Sequence, residues 1–176
     1  VLTQRRPQFE LLETLLWEAG NFFLCERHLS RLRESADYFG FHHPEESIRD
    51  LLEKQRKTLL DVPRARVRLL LSRTGVARVE ASPLDVVPAP SLRVALATAP
   101  LDNSDIFLYH KTTHRELYER HRREQPHADE VVLWNEHGQL TEGTFTNLVL
   151  EDAQGKWTPP REAGLLAGTF RQQLLD

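Results

Sequence analysis

Methionine is absent from the 176 residues. The chain opens on Val1 and stops at FRQQLLD, in mid-helix by its pattern, so it is expected to be a piece of a longer one. Cysteine is nearly absent too. Cys25 alone cannot close an internal disulfide, and no CxxC pair or Cys/His cluster has zinc spacing, so a reducing cytoplasm is expected and a metal is not. Long apolar runs are missing: none approaches the roughly 20 residues of a membrane helix, and VLTQRRPQFE lacks the apolar centre of a secretory signal. A soluble chain with no membrane partner is expected. Nor is either charge in large excess: 23 Lys and Arg face 26 Asp and Glu, for a formal net charge of −3, so no basic field draws the protein toward nucleic acid.

What is present is the composition of a folded domain. Hydrophobic residues make up 40% of the chain, enough for one medium domain or two small ones sharing an interface. FELLETLLW, the turn EAGN and Phe22–Leu24 predict two strands joined at Gly20. From Glu26 onward Leu29, Leu32, Ala36 and Phe39 recur at helical spacing, and Gly40 is placed to cap that helix. Pro44 heads a second helix reaching about Leu60, with Ile48, Leu51, Leu52 and Leu59 as its stripe. Residues 64–72 and 76–81 read as a hairpin around Thr74-Gly75.

The three prolines of SPLDVVPAP disfavour helix and central strand, which puts a subdomain boundary near Pro83–Pro90. We expect an N-terminal α+β subdomain over 1–84 and a C-terminal β-rich α/β subdomain over 85–176, the second incomplete at its C-terminus. In the latter, Leu92–Thr98, Glu130–Trp134, Gln139–Thr141 and Gly143–Leu150 are predicted strands, with a turn at Asn135–Gly138, and His114–Glu124 a charged helix.

Lysine is scarce. Lys54 and Lys57 fall on a presumed solvent face and Lys156 in a polar turn, which leaves Lys111, predicted to lie where the apolar run IFLYH enters a helix. Partial desolvation there would favour the neutral amine that attacks a carbonyl, although an exposed lysine at a helix start is the ordinary reading. Glu142, in LTEGTFTNLVL, could point from a small-residue turn into a cleft or be a hairpin surface charge; Asn147 follows five residues on. GLLAGTFR puts Gly168 and Thr169 at an apparent helix start, after an apolar strand, where backbone amides suit an anion. His28 and Arg31 share one face of the first helix, by default a solvated one. HKTTHRELYERHRR could touch phosphodiesters, but Glu116, Glu119 and Glu124 largely neutralise it.

The order HLSRL, HKTTHR, LTEGTFTNLVL, GLLAGTFR resembles the class IV aminotransferase family from Phe9 onward. That family has the fold-type IV architecture, two α/β subdomains with pyridoxal 5'-phosphate (PLP) between them, and commonly forms homodimers. The resemblance matches Lys111 to the lysine of the internal aldimine and Arg31 to the arginine on the cofactor phosphate. It matches Glu142, with Asn147 beside it, to the carboxylate on the protonated pyridine nitrogen, and Thr169 and Phe170 to the residues whose amides hold the phosphate. Thr14 and Arg115 are the candidates for contact with a small-molecule substrate. His114 stands where many relatives carry Asn.

Within the family the segments are most similar to the 4-amino-4-deoxychorismate lyase domain fused behind an aminodeoxychorismate synthase domain in bacterial para-aminobenzoate (folate) biosynthesis. That likeness implies a PLP-dependent lyase and a synthase domain in the same parent chain. An aminotransferase of branched-chain or D-amino acids shares these motifs, and a non-catalytic partner of the synthase domain is the reading from another class.

Overall fold

A computed structural model describes residues 8–85 and 91–176. Residues 86–90, part of the expected boundary stretch, lie outside the described residues. The chain divides into two compact units. One comprises residues 8–85 with Lys111–His114, the other residues 91–110 with Arg115–Asp176.

The first unit is an antiparallel sheet of order β2-β1-β3-β4 with two helices. Strand β1 (Leu11–Glu18) turns through Ala19 and Gly20, both at positive φ as a tight primed turn requires, into β2 (Asn21–Phe22). Helix α1 (Cys25–Phe39) ends on Gly40, whose φ of 66° lets its amide close the last turn on Ala36 and Asp37. Helix α2 (Glu45–Thr58) follows Pro44, and β3 (Arg64–Leu71) pairs with β1 on one side and with β4 (Ala77–Pro83) on the other. The core joins Leu11, Leu15 and Trp17 of β1, Val67, Leu69 and Leu71 of β3, Leu29, Leu32 and Ala36 of α1, and Ile48 and Leu52 of α2. Truncating one such leucine to alanine costs about 2–5 kcal/mol. Because successive side chains of a strand alternate between faces, Glu13 stands in the same inward row as Leu11, Leu15 and Trp17.

Segment Lys111–His114 lies along the free edge of β1. The amide of Leu12 donates to the Lys111 carbonyl (3.0 Å) and that of Thr113 to the Glu10 carbonyl (2.9 Å), with Leu11 and Thr112 bridged between them. Lys111 was predicted at a strand-to-helix junction. Instead Ile106–Leu108 form one 3-10 turn, where Asp105 accepts from the Phe107 amide, and the charged helix α3 (Glu116–Glu124) begins two residues later than predicted.

In the second unit, β5 (Val94–Leu96) runs parallel to β6 (Glu130–Trp134), which pairs antiparallel with β7 (Leu140–Gly143). A parallel pair needs a long crossover, and residues 97–129 supply it. Ala97, Leu101, Leu108, Tyr118, Val131 and Leu133 form this unit's core. The predicted strand over Leu92–Thr98 shortens to β5. The predicted strand over Gly143–Leu150 is not formed: Gly143 ends β7, and the chain reverses around the side chain of Glu130. Leu150–Asp152 (β8) instead pairs with Gly155–Trp157 (β9). A 3-10 turn at Arg161–Ala163 precedes residues 165–168, which lie outside the named strands, and helix α4 (Thr169–Leu175) follows Gly168. Among the described residues no helix is long and apolar enough to cross a membrane.

Candidate active site

In the first unit the site residues gather on Glu13. Its carboxylate, 1% exposed, accepts from Arg31 Nε (2.8 Å) and Arg31 Nη2 (2.6 Å) and meets His28 Nδ1 at 2.7 Å. Three residues separate His28 from Arg31, so one helix face brings both to the same strand position. The expected solvated face is therefore a buried one, with His28 and Arg31 nearly as enclosed as Glu13. The reason is the register of β1, which turns a carboxylate inward where the neighbouring positions are apolar.

Burial pushes the Glu13 carboxyl up, but the Arg31 guanidinium and the His28 bond outweigh it and hold the pKa at about 2. The group is ionised and can only accept, so the proton of the His28 contact sits on Nδ1. Glu13 occupies two of the five N–H groups of Arg31 and fixes the plane of its guanidinium.

Lys111 is half-buried and held through its main chain beside Leu12, the residue before Glu13. Thr14 lies on β1 opposite Arg68 of β3, and the pleat turns it to the face away from Glu13.

In the second unit the centre is Glu142, 5% exposed. Surface charge was its ordinary reading; the structure buries it because β7 and the loop after it are drawn inward. Tyr118 donates its phenol to Oε1 (2.8 Å), and Asn147 donates Nδ2 to Oε2 (3.3 Å) and to the Leu166 carbonyl (2.9 Å). Both of these donors are neutral and orient the carboxylate. Burial first, then the adjacent Glu142, push the Tyr118 phenol well above the ordinary tyrosine range, so it remains a donor.

Gly168 packs against Asn147: a Cβ there would stand 1.9 Å from Asn147 Oδ1. Thr169, buried, and Phe170, with its ring exposed, open helix α4 directly afterwards. Arg115 ends up on this unit's loop, where it donates to the Thr144 carbonyl (2.5 Å) and lies over the rings of Tyr118 (4.7 Å) and Phe145 (5.0 Å).

Three partners escaped the reading of the sequence: Glu13, Tyr118 and Glu130. Only Glu13 left a local sign, a charge at an inward position of an apolar alternating strand.

The model of the class IV aminotransferase family matches residues 10–176. A curated Schizosaccharomyces pombe protein, provisionally named an aminodeoxychorismate lyase, is 32% identical over 172 residues, 94% of this chain and 73% of its own length. Among solved structures, a provisionally named amino-acid aminotransferase from Mesorhizobium loti is 38% identical, with a TM-score of 0.87 over 96% of this chain and 83% of its own. The PLP-bound form of a hypothetical aminotransferase from Mycobacterium tuberculosis is 26% identical, with a TM-score of 0.79 over 94% of this chain and 66% of its own.

Each unit, taken by itself, carries one donor set of the kind such a cofactor takes. A phosphate wants a guanidinium of fixed plane, which Arg31 carries. A protonated pyridine wants a buried carboxylate oriented by neutral donors, as Glu142 is. The chain belongs to the class IV aminotransferase family of PLP-dependent enzymes.

Proposed function

We propose that this chain is a lyase acting on 4-amino-4-deoxychorismate, with para-aminobenzoate and pyruvate as products, a step of folate biosynthesis. The observation that carries the reading is the buried Glu142 carboxylate, held on both oxygens by neutral donors. The choice of lyase rests on the likeness to the S. pombe protein.

In this reading Lys111 supplies the amine that anchors the cofactor and then takes the proton from the aminated carbon of the substrate. Arg31 and the amides of Thr169 and Phe170 hold the phosphate, and Glu142, set by Tyr118 and Asn147, keeps the pyridine nitrogen protonated. Bound PLP supplies the electron sink for the pair that the proton leaves behind. Loss of that proton together with the enolpyruvyl group makes the substrate ring aromatic, so Lys111 need only hold and move a proton and the remaining residues orient. Arg115 and Thr14 are assigned to the substrate, Arg115 for its carboxylates. On its single cysteine we assign the protein to the cytoplasm, and on the resemblance of its motifs we assign it as a homodimer whose parent chain carries an aminodeoxychorismate synthase domain.

Identity of 38% to the M. loti structure favours a second reading, an amino-acid aminotransferase on the same cofactor frame. Incubation with aminodeoxychorismate decides between them. The lyase releases pyruvate and para-aminobenzoate with no keto acid added, and Lys111→Ala abolishes both the release and the visible absorbance of the cofactor complex. A strict need for a keto-acid acceptor would establish the aminotransferase instead. A colourless protein indifferent to PLP would defeat both.

A further inference from the structure

Glu130 opens β6 and is 5% exposed, yet none of the chemistry above uses it. Its two oxygens collect five donors. Oε1 accepts from the amides of Val131 and Thr144, both at 2.9 Å, and from Thr144 Oγ1 at 2.5 Å. Oε2 accepts from the Phe145 amide at 3.2 Å and Thr146 Oγ1 at 3.0 Å. Arg122 Nη1 stands 3.9 Å away.

Apart from Val131 and Arg122, these partners belong to one four-residue reversal, Gly143–Thr146. The Gly143 amide closes it on the Thr146 carbonyl (2.7 Å), and its stem is the bridged pair Glu142 and Asn147. The carboxylate therefore supplies the acceptor for the Phe145 amide and shares the Thr144 amide with the Val131 carbonyl (3.1 Å). Gly143 shows how tightly the loop wraps it. A Cβ there would lie 2.4 Å from Thr146 Oγ1 and 2.9 Å from Glu130 Cδ and Oε2. Burial pushes the Glu130 carboxyl up, but the Thr144, Val131, Thr146 and Phe145 donors outweigh it and hold its pKa below the ordinary range, so the template is an anion.

We propose that Glu130 is a positioning residue: by folding Gly143–Thr146 around its carboxylate, it sets the station of Glu142 and Asn147 at the stem. The inference rests on the reading of Glu142 as the partner of the pyridine nitrogen. It adds that this partner is placed by a second carboxylate, twelve residues upstream, that touches neither cofactor nor substrate. The device suits its task, because charge-assisted bonds to backbone amides fix main chain and need no long side chain to be ordered.

The test uses the full chain with Glu130→Gln, which keeps the shape but replaces one acceptor oxygen by a donor. Amide exchange at Phe145 is expected to rise about tenfold or more, as for the loss of one charge-assisted bond, and at Thr144, which keeps the Val131 carbonyl, by less, while β6 beyond Val131 and α3 keep their protection. In the PLP-loaded protein, kcat should fall about tenfold to a hundredfold with KM nearly unchanged, and the pH profile of the cofactor absorbance should move. Glu130→Asp should restore part of each. Unchanged exchange in the loop, or exchange that rises equally across the unit, overturns the proposal. If Glu130→Gln does not fold, Thr144→Val decides, since it deletes one donor at nearly constant shape; it should lower kcat and move the absorbance profile in the same direction, and wild-type values would sink the idea. Glu142→Gln keeps the two questions apart. An absorbance profile that ignores Glu142→Gln refutes the pyridine partner, whereas loop exchange in Glu130→Gln reports on Glu130 alone.

Discussion

Arg31 presents its Nε and Nη2 edge to the carboxylate of Glu13, at 2.8 and 2.6 Å, in a pair almost closed to solvent. A guanidinium held in this way has its plane set by the protein before any anion arrives. That ordering lowers the entropy cost of binding a phosphate. The sheet provides the carboxylate and the helix the cation, so the pair also locks α1 onto β1.

Glu13→Gln should therefore affect folding and binding together. Removing one partner of a buried ion pair leaves the other uncompensated, and denaturant unfolding should show a loss of about 3 kcal/mol. PLP affinity should fall in the same variant. The pH dependence has a definite sign. The Glu13 pKa falls from an ordinary 4.5 to about 2 on folding, so the pair's contribution is fully present above 4.5 and fades as pH drops toward 2. Acid unfolding of Glu13→Gln should lack that component, and an acid limb identical to the parent's would count against the assignment.

Tyr118→Phe tests the other half of the site. The phenol donates to Glu142 Oε1, and a hydrogen bond to a charged group contributes about 1.5–3 kcal/mol. We expect a modest loss of stability and a larger fall in kcat than in KM. Because the Tyr118 pKa is raised in the fold, its stabilising effect is complete below the ordinary tyrosine value and is lost as pH rises through the raised one. Alkaline spectrophotometric titration should thus show a late tyrosine in the parent that Tyr118→Phe lacks.

Much of this fold is legible in the sequence where the signal is local. The helix over Cys25–Phe39 shows in the spacing of Leu29, Leu32 and Ala36 and in Gly40, and the hairpin of β3 and β4 shows in Thr74-Gly75 between two β-rich runs. Non-local partners are where the reading fails. The run Gly143–Leu150 has strand composition, but Glu130 accepts from the Thr144 and Phe145 amides and the chain turns there into a loop. Lys111 follows an apolar run, but what places it is main-chain pairing with Glu10 and Leu12, about a hundred residues away. The site divides the same way. The order of four motifs points to Arg31, Lys111, Glu142 and the start of α4. The groups that orient two of these, Glu13 and Tyr118, carry no motif, because any carboxylate or hydroxyl at the right place in the fold serves.

Gly168 offers the sharpest steric test. Its φ of −62° suits any residue, so alanine would meet no backbone strain. The obstacle is the Asn147 side chain, whose Oδ1 would lie 1.9 Å from the new Cβ. Asn147 cannot simply swing aside, since its Nδ2 is bound to the Leu166 carbonyl and to Glu142. Gly168→Ala should cost about 1–3 kcal/mol as overpacking and should lower kcat by disturbing Glu142. Alanine is also a poor residue at a helix N-cap, which would destabilise α4 for a separate reason. Gly168→Ser removes that ambiguity: serine caps well but carries the same Cβ, so it should fail nearly as badly. A double-mutant cycle completes the argument. With Asn147→Ala in place the clash is gone, and Gly168→Ala should then cost little beyond the cap. Additive losses would show that Gly168 is required for something other than its contact with Asn147.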